Sequence, residues 1–342
     1  MTPTSRARAV AKNRLVMMRL LRRRAAGRAD PRARVVDGGH DGSSALSVAE
    51  PFPGARVTRI SVGGRATRVL DAGDGPALAC SPGIASLVWD WVPLARRLAS
   101  THRVIVVARP LVERADVTAG VAPTLQDDAA RLLGALDALG VTGPVTLVGH
   151  SFGGVVAEAA TRSTPERAAA LVLLDGSLAE DGPDPTEPRR SARRTRLSMT
   201  ALRSRPIVAA WSACGPTILT LAAPARRSLV RSIPGLPDEM ASIDVLAACL
   251  GELSSYPAYV RQLHALRTSS PLPSALPTLV IAANGRLPRR SPTRWVRAVL
   301  RQAKGLAEEA DLRTAVIERS GHFIMLDRPQ RVADLIIAFG SR

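Results

Sequence analysis

Hydrophobic and polar residues follow a strand-like pattern from residue 56 onward. The stretches "ARVTRISVGG" and "RATRVLDAGDG" alternate apolar with polar positions and meet at glycines, which predicts a β-hairpin. "PALACSP" and "HRVIVVARP" are short continuous apolar runs, typical of strands buried on both faces of a parallel sheet. The segment between them, "SLVWDWVPLARRLAS", has helical spacing. The pattern therefore predicts a hairpin followed by a strand, a helix and a second strand.

The alternation of strands and helices continues along most of the chain. Thr124 is placed to cap the helix "TLQDDAARLLGALDALG" and Gly140 to end it. The strand "PVTLVGHS", an Ala-rich helix and the strand "ALVLLDGS" follow. After a long interruption come "PTLVIAANG", a helix around 292–308, the strand "RTAVIERSGH" and the helix "RPQRVADLIIAFG". Such alternation predicts an α/β fold with a mostly parallel, doubly wound sheet of about eight strands.

The interruption predicts a helical cap. Residues 177–275 contain no buried strand, so we expect them to form a cap inserted into a core made of residues 51–176 and 276–342. Within the cap, Ile207 to Ala225 carries no charge over about nineteen residues, which approaches the length of a membrane span. Because Gly215-Pro216 lies in the middle of this stretch, we expect two short helices that meet there.

Arginine dominates the charge of the chain. The formal net charge is +18, while 46% hydrophobic and 22% charged residues are typical of a globular protein. Basic residues cluster in a tail, residues 1–50, which we expect to be disordered or amphipathic, and again from Arg189 to Arg205. These clusters are either solvated surfaces or a peripheral contact with an anionic membrane. They lack interleaved aromatic residues and a recognition motif, so no nucleic-acid partner is expected.

Neither an export signal nor a metal site is indicated. The apolar stretch Leu15–Leu21 precedes the basic run Arg22–Arg24, which is the reverse of the order in a secretory signal. A cytoplasmic location, with or without membrane association, is therefore expected. The three cysteines, Cys80, Cys214 and Cys249, are far apart and lack ligand spacing. We expect no disulfide framework, no metal and no organic cofactor.

The candidate chemistry lies in "VTLVGHSFGGVVAEAATRS", where a predicted strand meets a helix. Gly149 and Gly153 flank Ser151 at two positions each way, the pattern of a nucleophile elbow. Such a sharp turn leaves the serine hydroxyl exposed at the carboxyl end of the sheet, beside a helix N-terminus that favours developing negative charge. The competing interpretation is a tight turn with an incidental serine.

A serine nucleophile needs a base to take its proton. Among the five histidines, His322 in "SGHFIMLDRPQRVADLI" lies in the loop directly after the last predicted strand. Because that loop lies at the same sheet edge as the elbow, we expect His322 to be the general base.

These residues resemble the α/β-hydrolase family over residues 56 to 342, through "GHSFGG", "GHFIMLDRPQRVADLI" and "GIASLVWDWVPLARRLA". The resemblance implies a serine hydrolase that cleaves an ester or related acyl compound through an acyl-enzyme. Ser151 would attack, His322 would transfer the proton, and the backbone N–H of Phe152 would form half of the oxyanion hole. Relatives that act as epoxide hydrolases or dehalogenases normally use an aspartate nucleophile, so Ser151 argues against both activities.

The acid of the triad departs from the common family pattern. The usual acid loop reads "IAANGRLPRR", with Asn284 and Gly285 where an aspartate is expected. Another branch of the family carries the acid after the strand that follows the elbow, and that position holds Asp175. We take Asp175 as the orienting acid, the alternative being that it only caps a turn.

The oxyanion loop departs as well, since it reads "CSPGI". Ile84 donates the second N–H if Pro82-Gly83 fills the usual His-Gly position, whereas the other alignment places Pro82, which has no N–H, at the donor position. That alignment predicts a catalytically impaired enzyme. The alternative function is then that of a protein that binds an apolar ligand or a partner. For a working enzyme we expect Trp89 and Trp211 to contact an apolar acyl substrate beneath the cap.

Overall fold

The computed structural model describes residues 49–109, 124–176, 202, 204–288 and 290–340. Most of the predicted basic tail, and most of the basic cluster from Arg189 to Arg205, lie outside these residues. The described chain forms one sheet of eight strands, confirming the predicted number. The strands are Ala55–Val62 (β1), Arg65–Ala72 (β2), Ala77–Ser81 (β3), Arg103–Val107 (β4), Val145–His150 (β5), Ala168–Leu174 (β6), Pro277–Ala283 (β7) and Asp311–Ile317 (β8).

The strand order is β1-β2-β4-β3-β5-β6-β7-β8. β2 pairs antiparallel with β1 and β4, and every later pair is parallel. The predicted hairpin is confirmed: β1 and β2 turn at Gly63 and Gly64, whose φ angles of 58° and 80° lie where glycine is favoured. The carboxyl ends of β3, β5, β6, β7 and β8 therefore meet at one edge of the sheet.

Helices cover both faces of the sheet, as the doubly wound prediction requires. The regular helices are Val92–Leu98 (α1), Leu125–Ala138 (α2), Phe152–Ser163 (α3), Arg205–Ala222 (α4), Arg226–Ser232 (α5), Leu236–Ala241 (α6), Ile243–Ser269 (α7), Arg294–Ala307 (α8), Ile324–Asp327 (α9) and Pro329–Gly340 (α10). One apolar cluster packs α1 and α10 against the sheet, and a second packs α2, α3 and α8 against it. Residues Val88–Trp91 form a short 3₁₀-helix before α1.

The predicted signals at the ends of α2 are confirmed. The Thr124 hydroxyl accepts a hydrogen bond from the Asp127 N–H, and the Asp127 side chain reaches back to the Thr124 N–H. Gly140 follows the helix with a φ of 74°, the left-handed conformation that commonly ends a helix.

Of the residues between β6 and β7 that the structure describes, most form four helices, α4 to α7, and we call these four the helical insertion. The prediction of two short helices that meet at Gly215-Pro216 was wrong, because α4 runs through both residues. A Cβ added at Gly215 would lie 2.6 Å from Cε2 of Trp211, so the glycine makes room for that indole instead of breaking the helix. Among the residues that the structure describes, no helix is long and apolar enough to cross a membrane. The predicted limits of cap and core stay predictions.

Ion pairs fasten the insertion to the core. The Arg226 guanidinium on α5 is buried, and its Nε and Nη2 donate to the two Asp90 carboxylate oxygens over 2.7 and 2.6 Å. Removing one partner of a buried pair typically costs about 3–5 kcal/mol. Two further insertion helices, α6 and α7, make ion pairs with the core. The pairs are Glu239 with Arg68, Glu252 with Arg109 and Arg267 with Glu158.

Candidate active site

Ser151 occupies the turn between β5 and α3 in a strained conformation. Its φ of 52° and ψ of −124° are unfavourable for a residue with a side chain. A Cβ at Gly149 would lie 2.4 Å from the Gly153 carbonyl oxygen, and one at Gly153 would lie 2.0 Å from the Ser81 carbonyl oxygen. Because no side chain fits at either position, the two glycines are what allows this turn.

The structure brings Ser151, His322 and Asp175 into one hydrogen-bonded chain. The Ser151 Oγ lies 2.8 Å from His322 Nε2, and His322 Nδ1 lies 2.6 Å from the Asp175 Oδ2. Because a carboxylate only accepts, Nδ1 carries the proton, and the bare Nε2 of a neutral ring accepts from the serine hydroxyl. This tautomer is the one in which a histidine can take a proton from serine.

The loops that carry these three side chains all lie at the carboxyl edge of the sheet. Ser151 follows β5, Asp175 follows β6, and His322 lies between β8 and α9. The Ser151 N–H donates to the Leu174 carbonyl over 3.1 Å, which ties the elbow to the end of β6. The order of neighbouring parallel strands therefore places residues 171 positions apart in contact.

Asp175 is held by donors on both sides of its carboxylate. It is 1% exposed, and its own N–H donates to the Ile281 carbonyl over 2.6 Å. Oδ1 accepts from the Ala283 N–H over 2.9 Å and from the Trp295 indole Nε1–H over 2.8 Å. Sequence reasoning missed Trp295, although its place in the first turn of the helix after β7 puts it at this sheet edge.

Asn284, at the position where an aspartate was expected, has a different task. Its Oδ1 accepts from the Thr293 N–H over 2.8 Å, and its Nδ2 lies 2.9 Å from each Glu318 carboxylate oxygen. The Asn284 side chain therefore connects the loop after β7 to the end of β8 through hydrogen bonds. The sequence shows no acid in this loop, and the contacts of Asn284 show that its side chain does not reach His322 in place of one.

His150, next to the serine, fixes the backbone of His322. Burial lowers the pKa of His150 well below its ordinary value, so the ring is neutral at physiological pH. Its Nε2–H donates to the His322 carbonyl over 2.8 Å, and the two rings lie 4.8 Å apart. Within the described parts of the chain, His150 Nδ1 has no hydrogen-bond partner. The signal that could have identified it was its place beside the nucleophile.

The loop after β3 packs directly against the serine. A Cβ added at Gly83 would lie 2.8 Å from the Ser151 Cβ. The Arg109 guanidinium donates to the Pro82 carbonyl over 2.7 Å and to the Gly83 carbonyl over 2.9 Å. Two carbonyls of this loop are thus turned toward one arginine.

This orientation decides where the next N–H points. All described peptide bonds are trans, so the Ile84 N–H is directed opposite to the Gly83 carbonyl and away from Arg109. Neither the Ile84 N–H nor the Phe152 N–H has a hydrogen-bond partner among the described residues. Both are free to donate to a bound molecule. Pro82 lies two residues before Ile84 and has no N–H to offer.

A cleft of about 440 Å³ opens beside His322. It is lined by Asp175, Ala283, Gly285, Thr293, Trp295, Ser320, Gly321 and His322. Trp89 and Trp211 are elsewhere: both are buried, and their indole N–H groups donate to the Glu239 carboxylate over 2.9 Å and to the Ser242 carbonyl over 3.0 Å. The structure gives both a packing role, and their contact with a substrate stays a prediction.

Within the described ranges, no group of three or more His, Cys, Asp or Glu side chains is arranged to hold a metal ion. The three cysteines are free thiols. Burial raises the pKa of the Cys80 thiol, and it raises that of Cys249 to about 12, so neither is a thiolate at physiological pH.

Comparison with known proteins points to one family. The profile of the "Alpha/beta hydrolase family" matches residues 77–335. The polyketide synthase ThaQ of Burkholderia thailandensis is 34% identical over 131 residues, 38% of this chain and 6% of that protein. The lipase LipV of Mycobacterium tuberculosis is 37% identical over 98 residues, 28% of this chain and 37% of that protein. The chain thus spans well under half the length of either relative.

Solved structures show the same fold. A laboratory-evolved variant of potato epoxide hydrolase superposes with a TM-score of 0.61 at 16% identity, covering 84% of this chain and 99% of that one. At this identity the likeness shows the fold alone.

Proposed function

This chain belongs to the α/β-hydrolase family, and from that premise we propose that it is a serine hydrolase that cleaves apolar acyl esters or related acyl compounds. One observation carries the proposal: Ser151, His322 and Asp175 form a continuous hydrogen-bonded chain at a strained elbow. Family membership alone does not decide the reaction, because one scaffold hosts many chemistries. A nucleophilic serine in contact with a base favours acyl transfer.

The proposed first half-reaction forms an acyl-enzyme. Ser151 Oγ attacks the substrate carbonyl carbon while its proton moves to His322 Nε2. The negative charge that develops on the carbonyl oxygen is stabilised by the N–H groups of Phe152 and Ile84. Asp175 holds the imidazolium through Nδ1. The bond to the leaving group then breaks, and His322 gives its proton to the departing oxygen.

The second half-reaction releases the acid. A water molecule donates its proton to His322 Nε2 and attacks the acyl carbon, and the resulting tetrahedral intermediate collapses as Ser151 Oγ departs with the proton from His322. No cofactor or metal is needed in either half-reaction, because the nucleophile, base and oxyanion donors all come from the chain.

An apolar acyl group is supported by the name of the relative LipV, a lipase. Beneath the elbow, the buried Phe152 ring packs against Tyr256 and Tyr259 of α7, with ring centroids 5.8 and 4.9 Å apart. ThaQ is a polyketide synthase, so acyl thioesters belong beside oxygen esters in a substrate screen.

The alternative, a protein that binds without catalysis, rested on the missing acid and the doubtful oxyanion loop. The contact between Asp175 and His322 supplies an acid, and the free Ile84 N–H supplies a donor. Both observations favour the enzyme.

A fluorophosphonate probe tests the proposal without knowledge of the substrate. We expect the purified protein to be labelled, with the adduct on the peptide that contains Ser151, because the base activates this hydroxyl. His322→Ala should slow labelling strongly, while His264→Ala, a histidine on α7 outside the hydrogen-bonded chain, should not. A folded protein that fails to label, or labels on another residue, would favour the binding protein.

We further propose that the enzyme works at an anionic membrane surface. Helix α4 carries no charge after Arg205, yet only Trp211, Gly215 and Leu219 are buried. Its outer surface exposes apolar side chains and is followed by the exposed Arg227 on α5. The apolar side chains are Ile207, Ile218 and Leu221, exposed by 38%, 48% and 62%. An apolar helix surface bordered by arginines is typical of contact with anionic lipid.

Vesicle sedimentation tests this surface. At low salt we expect binding to phosphatidylglycerol vesicles and little binding to phosphatidylcholine vesicles. Ile218→Gln with Leu221→Gln should weaken the binding, whereas Leu287→Gln, a change at an exposed leucine outside α4, should not. Equal binding by both variants would contradict the proposal, and a concentration-dependent dimer that the α4 variant abolishes would assign the surface to a second copy. The expected cytoplasmic location stays a prediction.

A further inference from the structure

The indole of Trp295, in the first turn of α8, touches both Asp175 and His322. We propose that Trp295 is a positioning residue that fixes the Asp175 carboxylate in the orientation His322 requires. This inference rests on the proposed serine hydrolase function. It assigns a task to the loop after β7, which lacks the acid that the family commonly carries there.

The Asp175 carboxylate is held against rotation. A carboxylate can turn about its Cβ–Cγ bond, and one hydrogen bond does not fix its plane. Here Oδ1 accepts two donors from different elements, the Ala283 N–H at the end of β7 and the indole N–H on α8. With Oδ1 held from two directions, Oδ2 faces His322 Nδ1 at 2.6 Å.

Hydrogen bonds at the start of α8 place the indole beside Asp175, which lies 120 positions earlier in the chain. Asn284 holds the Thr293 N–H over 2.8 Å, and the Thr293 hydroxyl accepts from the Val296 N–H over 3.2 Å, which begins α8. Asn284 is itself anchored to Glu318. The residues that flank the loop without an acid, Ala283 and Trp295, therefore supply two hydrogen-bond donors to the acid that follows the neighbouring strand β6.

The Trp295 indole also contacts the base, His322. The Trp295 and His322 rings meet edge to face, with centroids 5.8 Å apart and an angle of 87°. Trp295 is 36% exposed and lines the cleft beside His322, whereas Asp175 is 1% exposed. The indole thus lines the cleft beside the bond from Asp175 to His322. A tryptophan that served packing alone would not need its N–H on the carboxylate.

Two substitutions separate the hydrogen bond from the bulk of the ring. Trp295→Phe keeps a large aromatic ring but removes the N–H. Trp295→His removes the benzene ring but keeps an N–H, because imidazole Nε2 occupies the same ring position as indole Nε1. Trp91→Phe is the matched control, since it makes the same chemical change in a buried tryptophan whose N–H has no partner among the described residues.

With a short-chain p-nitrophenyl ester as the probe, Trp295→Phe should lower kcat about ten-fold and leave KM within about two-fold, since a hydrogen bond to a charged group that orients the base is lost. Trp295→His should recover most of the lost kcat. Trp91→Phe should keep the wild-type kcat. The rate of fluorophosphonate labelling should follow kcat in all three variants.

Two outcomes would overturn the inference. One is a kcat for Trp295→Phe equal to that of Trp91→Phe, and the other is a kcat for Trp295→His no higher than that of Trp295→Phe. Failure of the proposed function is a different result, because the wild-type protein itself would then neither label nor hydrolyse the ester.

Discussion

Replacing Ser151 by alanine should lower kcat for ester hydrolysis by about 10⁶-fold, the loss seen when the nucleophile of a serine triad is removed. The alanine leaves no atom that can form the acyl-enzyme, so only binding and the oxyanion donors remain. The measurement is kcat with a p-nitrophenyl ester, together with the thermal midpoint. Because the change removes one oxygen atom, the midpoint should stay near that of the wild-type protein.

Ser228→Ala is the matched control for this prediction. Its hydroxyl is exposed and donates to the Ala225 carbonyl over 2.9 Å at the start of α5. This variant should keep full activity. A Ser151→Ala protein with the wild-type thermal midpoint and more than about one per cent of the activity would contradict the assignment of the nucleophile, because the loss expected for a triad serine is far larger.

The sheet could be predicted because its signals are local. Continuous apolar runs identified β3 and β4, and the alternation of strand and helix patterns identified β5 to β8. Glycines identified the turn at Gly63-Gly64 and the end of α2, where the structure has positive φ angles. The elbow was predictable for the same reason. Gly149 and Gly153 lie within two residues of Ser151. At each of these positions a Cβ would collide with a backbone atom, so only glycine fits.

The break predicted in α4 was wrong because the residues at Gly215-Pro216 have a tertiary role. A proline within a helix removes one N–H, and glycine lowers helix propensity, so the local signal favoured an end there. The structure instead packs Trp211 over Gly215 and buries Leu219 on the same side. Packing across the proline outweighs the local preference, and that packing cannot be derived from the segment alone.

The contacts around Asp175 could be predicted only in part. Strand order places Asp175 and His322 at one edge, which is sufficient to nominate the pair. The hydrogen bond from Trp295 to Oδ1 depends on the contact of Asn284 with the Thr293 N–H, and Asn284 is held in turn by Glu318, the residue after β8. Side-chain contacts of this kind leave no periodic pattern in the sequence.

Replacing Asp175 by asparagine should lower kcat about 10⁴-fold, because the amide cannot both orient His322 and stabilise its charged form. The expected effect is smaller than for Ser151 since the nucleophile and oxyanion donors remain. Steady-state hydrolysis of a p-nitrophenyl ester measures it, and Asp334→Asn on α10 is the control, which should keep wild-type kcat. An Asp175→Asn protein with kcat within ten-fold of wild type would show that Asp175 only caps a turn.

The loop after β7 should not accept the acid in exchange. Adding Asn284→Asp to Asp175→Asn places a carboxylate where the Asn284 amide nitrogen lies 2.9 Å from both Glu318 oxygens, so like charges meet and the thermal midpoint should fall. Including Glu318→Gln removes that repulsion and should recover stability, yet kcat should stay low because residue 284 still faces the end of β8 and not His322. If the triple variant regained activity, the acid would be interchangeable between the two strands. Persistent inactivity with recovered stability would show that the orientation of residue 284, and not charge alone, confines the acid to β6.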